Sequence, residues 1–293
     1  MYKFKIIIIA LFTGWLAACE KPLQAEEEHQ QHAAEGNLKL SVYELEQTPF
    51  LTTTRATASE ACSHLVFAVY GMDGTKLKQN SQKIGDSDYG STSFQLLEGS
   101  YQLVAIAHSS DNNPTMSDLH KIKFSNSTGY SDTFLHYQTI EVGSQPQTIN
   151  LSLRRIVSLC RFVINDAVPE GITKLEFYYT GGSGHFDATT GKGVTNSQQK
   201  VRVAVEAGQQ QTQVDLYTIL HEDEDLLRLK VTAYDAADNV QHEAVFEDIP
   251  MTRNQITWLS GDFFTGVMPV ASRNFSTDVD IETVWGGELR LTY

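Results

Sequence analysis

Chemistry needs the right residue types at workable spacings, and several clusters in this chain invite that test. His242-Glu243 and His221-Glu222 begin like a zinc-binding motif, but neither is followed by the second histidine of a His-Glu-x-x-His ligand pair. His221-Glu222 runs instead into Asp223-Glu224-Asp225, which reads as a solvated acidic turn. Gly181-Gly-Ser183-Gly184 looks at first like a serine-hydrolase elbow. That motif needs glycine where His185 stands, and no strand–helix alternation surrounds it, so the segment reads as a flexible hairpin tip. His108-Ser109-Ser110-Asp111 gathers triad residue types, yet a triad is made by spatial geometry, and a strand end running into a loop accounts for it. Asp86-Ser-Asp88-Tyr-Gly90 opens like a calcium loop but lacks the bidentate acid at the far end. His29 and His32 have no further ligands nearby in sequence. No phosphate loop or dinucleotide fingerprint occurs. The expectation is a protein with no catalytic residues, metal or cofactor.

The three cysteines divide into two kinds. Cys62 and Cys160 fall in apolar strand-like runs and read as buried free thiols, and three cysteines cannot build a disulfide scaffold. Cys19 has chemistry of its own. Lys3 and Lys5 precede an apolar run from Ile6 to Phe12, and Leu16-Ala17-Ala18-Cys19 resembles a bacterial lipobox. Residues 1–18 then read as a lipoprotein signal peptide, with Cys19 diacylated as the mature amino terminus. Each buried acyl CH₂ contributes about 0.8 kcal/mol to membrane attachment. No later segment reaches the roughly 18 apolar residues of a spanning helix, so the expected protein is anchored to a membrane rather than threaded through it.

Positioning elements follow from the rest of the chain. Residues 19–36, with Glu26-Glu27-Glu28, lack apolar periodicity and read as an acidic tether. Beyond it, period two dominates. Leu65, Phe67 and Val69 alternate with Val66, Ala68 and Tyr70, giving two apolar faces; Ile149, Leu151 and Leu153 alternate with polar residues. Val201–Val205, Leu227–Ala233 and Phe275–Ile281 repeat the pattern between Gly, Asn and Asp turns. This is an all-β sandwich signature. The 275 residues after the leader suit one large domain or two ordinary ones. A short echo relates Leu65–Tyr70 and its Gly-Met-Asp-Gly turn to Leu229–Tyr234 and its Asp-rich turn. One strand ends and another starts near Leu153-Arg154-Arg155, which predicts domains over 37–153 and 154–293, closely joined with limited hinge freedom. The formal charge of −14 becomes −16 once Lys3 and Lys5 leave with the leader, which excludes nucleic acid and electrostatic adsorption to anionic lipid.

An ordered set of patterns resembles the FimB-like fimbrial anchor lipoproteins of Bacteroidota, relatives of the fimbrillins that form the shaft. After Cys19 come the strand Leu38–Leu45, the loop Thr54-Arg55-Ala56, and Leu65–Tyr70 with Asp73-Gly74. Leu96-x-x-Gly99-x-Tyr101-x-Leu103 and Leu151-x-Leu153-Arg154-Arg155 follow. Ile249-Pro250-Met251-x-Arg253-Asn254-x-x-Thr257, Gly261-x-Phe263 and Trp285 complete the set. The acidic run after Cys19 resembles the surface-export signal of such lipoproteins. The resemblance implies two tandem transthyretin-like (Greek-key) β-sandwiches. It implies a surface-exposed outer-membrane lipoprotein at the pilus base, attached through the lipid on Cys19, with fimbrillin subunits as partners and no enzymatic activity.

Strand complementation gives that role its physics, because an unpaired sheet edge can accept a strand from another chain. By the same resemblance, fimbrillins open such a groove when a protease removes an amino-terminal strand after an arginine. The Arg55–Ala56 bond sits where that cut would fall, and a solvated loop arginine is an equal reading. Phe275, Thr277, Val279 and Ile281 have the alternation of a donor strand, and an ordinary final strand of its own sheet is the favoured reading. Two other classes stay open. One is a shaft or tip subunit processed after Arg55. The other is a surface lipoprotein with a host or glycan ligand, for which Trp258, Trp285, Tyr178 and Tyr179 are the aromatic candidates, although packing accounts for all four.

Overall fold

The alternating apolar runs all become strands. A computed structural model describes residues 36–47, 54–56, 61–125, 130–266, 276–280 and 287–293, and these form twenty strands and no helical element. In chain order the first nine are β1 (Leu38–Gln47), β2 (Thr54–Ala56), β3 (His64–Gly71), β4 (Lys76–Lys83), β5 (Ser91–Phe94), β6 (Gly99–His108), β7 (Ile122–Lys123), β8 (Thr133–Val142) and β9 (Gln147–Arg155). Then come β10 (Ser158–Ile164), β11 (Lys174–Ser183), β12 (His185–Asp187), β13 (Lys192–Gly193), β14 (Asn196–Ala204) and β15 (Thr212–Thr218). Last are β16 (Glu224–Tyr234), β17 (Val240–Thr252), β18 (Ile256–Gly261), β19 (Ser276–Asp280) and β20 (Glu288–Thr292).

Hydrogen bonding runs in the order β2-β1-β9-β8-β6-β3-β4, with β5 on β1. Only Phe134↔Arg155 and Leu135↔Arg154 join β8 to β9. The sheet folds over at that weak seam, because Leu38 and Leu40 of β1 share a core with Leu65, Phe67 and Val69 of β3, four strands away along the sheet. The result is a sandwich with β5-β1-β9 as one layer and β4-β3-β6-β8 as the other. The carboxy-terminal half has two separate sheets, β15-β10-β18-β20-β19 and β14-β11-β16-β17, packed on a second core that includes Phe162, Phe177, Tyr179 and Phe246.

The two halves share one wiring. In the first, β1 pairs antiparallel with β5 and parallel with β9, while β3 pairs with β4 and β6, and β6 with β8. In the second, β10 pairs antiparallel with β15 and parallel with β18, while β11 pairs with β14 and β16, and β16 with β17. This corrects the sequence echo. Leu65–Tyr70 lies on β3, whose counterpart is β11, whereas Leu229–Tyr234 lies on β16, the counterpart of β6. Both are central strands with an acidic turn behind them, so their local patterns converge without topological equivalence.

The double-faced alternation of β3 has a direct cause. Leu65, Phe67 and Val69 enter the first core; Val66, Ala68 and Tyr70 face a third cluster with Met116, Leu119, Ile122 and Phe124 from the β6–β8 connection. Leu159, Phe186, Ile219 and Ile256 from the second sandwich join the same cluster. β7 pairs with β12, and β12 with β13, so a small sheet ties the two sandwiches by main chain as well. Arg155, 4% exposed, lies where β9 passes into β10. Its guanidinium donates two bonds to Asp132, at 2.7 and 2.8 Å, and one to Asn254 Oδ1 at 3.0 Å. It also lies 4.8 Å above the centre of the Phe134 ring.

The late motif is structural too. Asn254 turns the chain at φ 57°, and Thr257 Oγ1 donates to the Pro250 carbonyl at 2.7 Å. Asp166 accepts from the backbone N–H groups of Phe263, Phe264 and Thr265. Arg155→Ala leaves a half-shielded carboxylate and a buried void at the seam. The expected loss is about 3 kcal/mol in chemical denaturation, with both sandwiches reporting one shared transition.

Candidate functional surface along the first and last strands

The chain reaches the first sandwich at β1, and β1 is held on every side. Leu38, Leu40 and Leu45 are fully buried. The strand pairs with β9 along nearly its whole length, with β5 over Leu38–Ser41, and with β2 over Leu45–Gln47. Just before it, Asn37 Nδ2 donates to the Leu96 carbonyl and Asn37 Oδ1 accepts from Leu96 N–H, both at 2.9 Å. Gln147 N–H donates to the Asn37 carbonyl at 2.9 Å. The sequence gave no hint of this clasp, because its partners lie 59 and 110 positions away.

Arg55 and Ala56 were expected in a loop. The backbone places them in β2, where Arg55 is registered with Glu46 and Ala56 with Leu45. Three residues suffice for this because β1 offers its open edge there, beyond the end of β5. Cys19 lies outside the described residues, as do Phe275, Ile281 and Trp285. Thr277 and Val279 lie on β19, at the outer edge of its sheet, registered with Leu291 and Leu289 of β20. β20 itself is an interior strand between β18 and β19. Leu291 is buried, and Tyr293 stacks 5.1 Å from Phe162 and donates its hydroxyl to the Val163 carbonyl at 3.1 Å.

The aromatic candidates separate by environment. Trp258 receives Arg161 at 4.8 Å and Arg290 at 4.6 Å, one from each neighbouring strand, so cations occupy the ring that a sugar would stack on. Tyr179 is buried, and Tyr178 points outward with its hydroxyl 2.6 Å from Gln198 Oε1. A hollow of about 500 Å³ beside the start of β1 is lined by polar groups, among them Lys39, Asn80, Ser93 and Gln147. It lacks the apolar lining of a small-molecule pocket.

The remaining clusters serve the fold. Ser183, expected at a flexible tip, is fully buried, and its Oγ donates to the carbonyls of His185 at 2.5 Å and Thr195 at 2.6 Å. A Cβ at Gly182 would collide with the Thr218 side chain, so close packing, not flexibility, selects that glycine. Asp86 Oδ2 accepts from Lys83 N–H at 2.7 Å, which ties its turn. Glu222 and Asp223 pair with Lys192, and Asp223 also lies 3.4 Å from Arg253 Nε. Among the described residues no group of three or more His, Cys, Asp or Glu side chains is placed to hold a metal ion. No described helix is long and apolar enough to cross a membrane. Cys62 and Cys160 are free and buried, and burial pushes both thiols up to about 12.

His108 closes β6 fully buried, stacked 5.1 Å from His64 and edge-on to Phe124. Burial, and then the neighbouring His64, push it down to about 4 from 6.5. The unfolded chain therefore binds the extra proton first as pH falls. Stability from this group is complete above about pH 6.5 and declines toward pH 4, by roughly 2–3 kcal/mol. Denaturation measured across that range should show the decline, and His108→Phe should flatten it.

This arrangement defines a tandem all-β sandwich protein whose distinguishing surface is strand edge rather than cleft. The chain belongs to DUF6562, a family of unknown function, whose model matches residues 29–292. No curated protein matches it in sequence. Among solved structures it is similar to a candidate adhesin from Bacteroides ovatus ATCC 8483, at 12% identity and TM-score 0.49, over 71% of this chain and 82% of that one. A candidate polysaccharide-binding protein from Bacteroides thetaiotaomicron VPI-5482 is similar at 14% identity and TM-score 0.48, over 70% and 78%. The fimbrial anchor protein Mfa2 from Porphyromonas gingivalis is similar at 12% identity and TM-score 0.44, over 71% and 80%.

Proposed function

We propose that this chain is an outer-membrane lipoprotein, attached through acylated Cys19, that anchors or helps assemble a fimbria at the cell surface. Its partners in that reading are fimbrillin subunits, engaged by strand complementation. The observation that carries the reading is the order Cys19, tether, β1, Arg55. β1 is the first strand behind the lipid signal, and it fills the slot between β5 and β9. An intact Arg55–Ala56 bond keeps the lipid, β1 and both sandwiches on one chain, as an anchor requires. A cut there would leave β1 bound only by non-covalent contacts, and its departure would open a groove for a strand from another subunit. That outcome defines the alternative, a shaft or tip subunit. A glycan-binding lipoprotein is the weaker alternative, since arginines occupy Trp258 and Tyr179 is buried.

Mass spectrometry of protein taken from native outer membranes decides between the first two. The expected amino terminus is acylated Cys19, with the Arg55–Ala56 bond uncut. A mature start at Ala56 would overturn the anchor assignment.

A further inference from the structure

We infer that β1 is a shear-loaded clamp that carries tension from the tether into the folded body, with Asn37 as its latch. The inference rests on the anchor reading for its biological use and on strand directions for its mechanics. β1 and β9 are parallel, registered from Leu38↔Gln147 to Glu46↔Arg154. The tether therefore leaves at one end of this pair and the second sandwich continues from the other. A pull on the tether drags β1 backward along its own axis while β9 is held from its far end. The hydrogen bonds of the ladder lie across that force, so the register pairs resist together instead of parting one at a time. Sliding would also drag Leu38, Leu40 and Leu45 out of a core in which they are fully buried.

The load meets Asn37 first. Its paired side-chain bonds to the Leu96 backbone and its carbonyl bond to Gln147 N–H must break before β1 moves. Gly36 passes so close to the Phe94 backbone that a Cβ there would collide, so the chain is gripped from its first described residue. The device is repeated. β10 begins three residues after β9 ends and is parallel to β18, so load passed toward the end of β18 meets a second pair in the same geometry.

Single-molecule pulling on the soluble mature chain tests this, with one handle on the Cys19 thiol and the buried Cys62 and Cys160 left unlabelled. A second handle at Arg154→Cys, at the far end of β9, loads the pair in shear. A handle at Ser144→Cys, in the turn before β9, peels the same pair from its near end. The expected result is a several-fold higher rupture force in the first geometry at equal loading rate. Asn37→Ala should lower that force, and Asp166→Asn in the distant sandwich should leave it unchanged. Equal forces in the two geometries, or no effect of Asn37→Ala, would overturn the clamp. The two readings fail separately. A native start at Ala56 sinks the anchor and leaves the force ratio standing, whereas equal forces sink the clamp and leave the anchor.

Discussion

A sheet with two apolar faces has to be covered twice, and most of this architecture follows from that constraint on β3 and β6. One face of each closes the first sandwich. The other, carrying Val66, Ala68, Val104 and Ile106, would be an exposed apolar patch on an isolated domain. The cover comes from the β6–β8 connection and from the near end of the second sandwich, through Phe186, Ile219 and Ile256. The polar groups trapped by that closure then need partners. Arg155 takes Asp132 from one side of the seam and Asn254 from the other, and Tyr130 donates its hydroxyl to the Ser183 carbonyl at 2.8 Å. These bonds set orientation, while the apolar face supplies the driving force.

The shared wiring explains how two halves with little local likeness came to carry the same parallel pair. Parallel neighbours cannot be joined by a tight turn, so β1 and β9 are separated by the whole first sandwich, and β10 and β18 by most of the second. In each half the chain enters along one member of the pair and ends its repeat along the other. Tension applied through the backbone therefore runs along these strands by construction. What differs is the neighbouring edge. β15 covers β10 along its full length, whereas β5 and β2 divide the same edge of β1 between them, four residues and three. β2, which carries Arg55, is the shorter piece.

Local patterns made the strands legible and left their partners illegible. Period-two alternation located β3, β9, β16 and β20, and the two apolar faces of β3 announced a strand buried on both sides. Pairing across the chain left no local trace. Arg55 sits in a polar stretch with no strand pattern and is drawn into β2 by the open edge of β1. Gly181-Gly-Ser183-Gly184 has turn composition, yet a β-bulge in β11 and the approach of Thr218 bury it. Asn37 looks like any polar residue at the end of a tether until Leu96 is brought beside it. The chemical clusters failed for the same reason in reverse, since sequence neighbours such as His108 and Asp111 are committed to different local tasks.

The state of β1 also limits how a subunit of this design can be processed. Removing it would uncover a slot lined by the partners of three buried leucines, each contributing about 1.5–3 kcal/mol, and would leave the β5 and β9 edges without hydrogen-bond partners. A slot of that kind pairs with any available strand, so scission without immediate replacement leads to aggregation. Cutting the backbone after Arg55 does not by itself expel β1, because the latch at Asn37 and the ladder to β9 remain. Expulsion needs a competing strand or a pull. The lipid tether pulls along the direction in which the pair is strongest, so the arrangement that suits an anchor is also the one that resists accidental loss of β1.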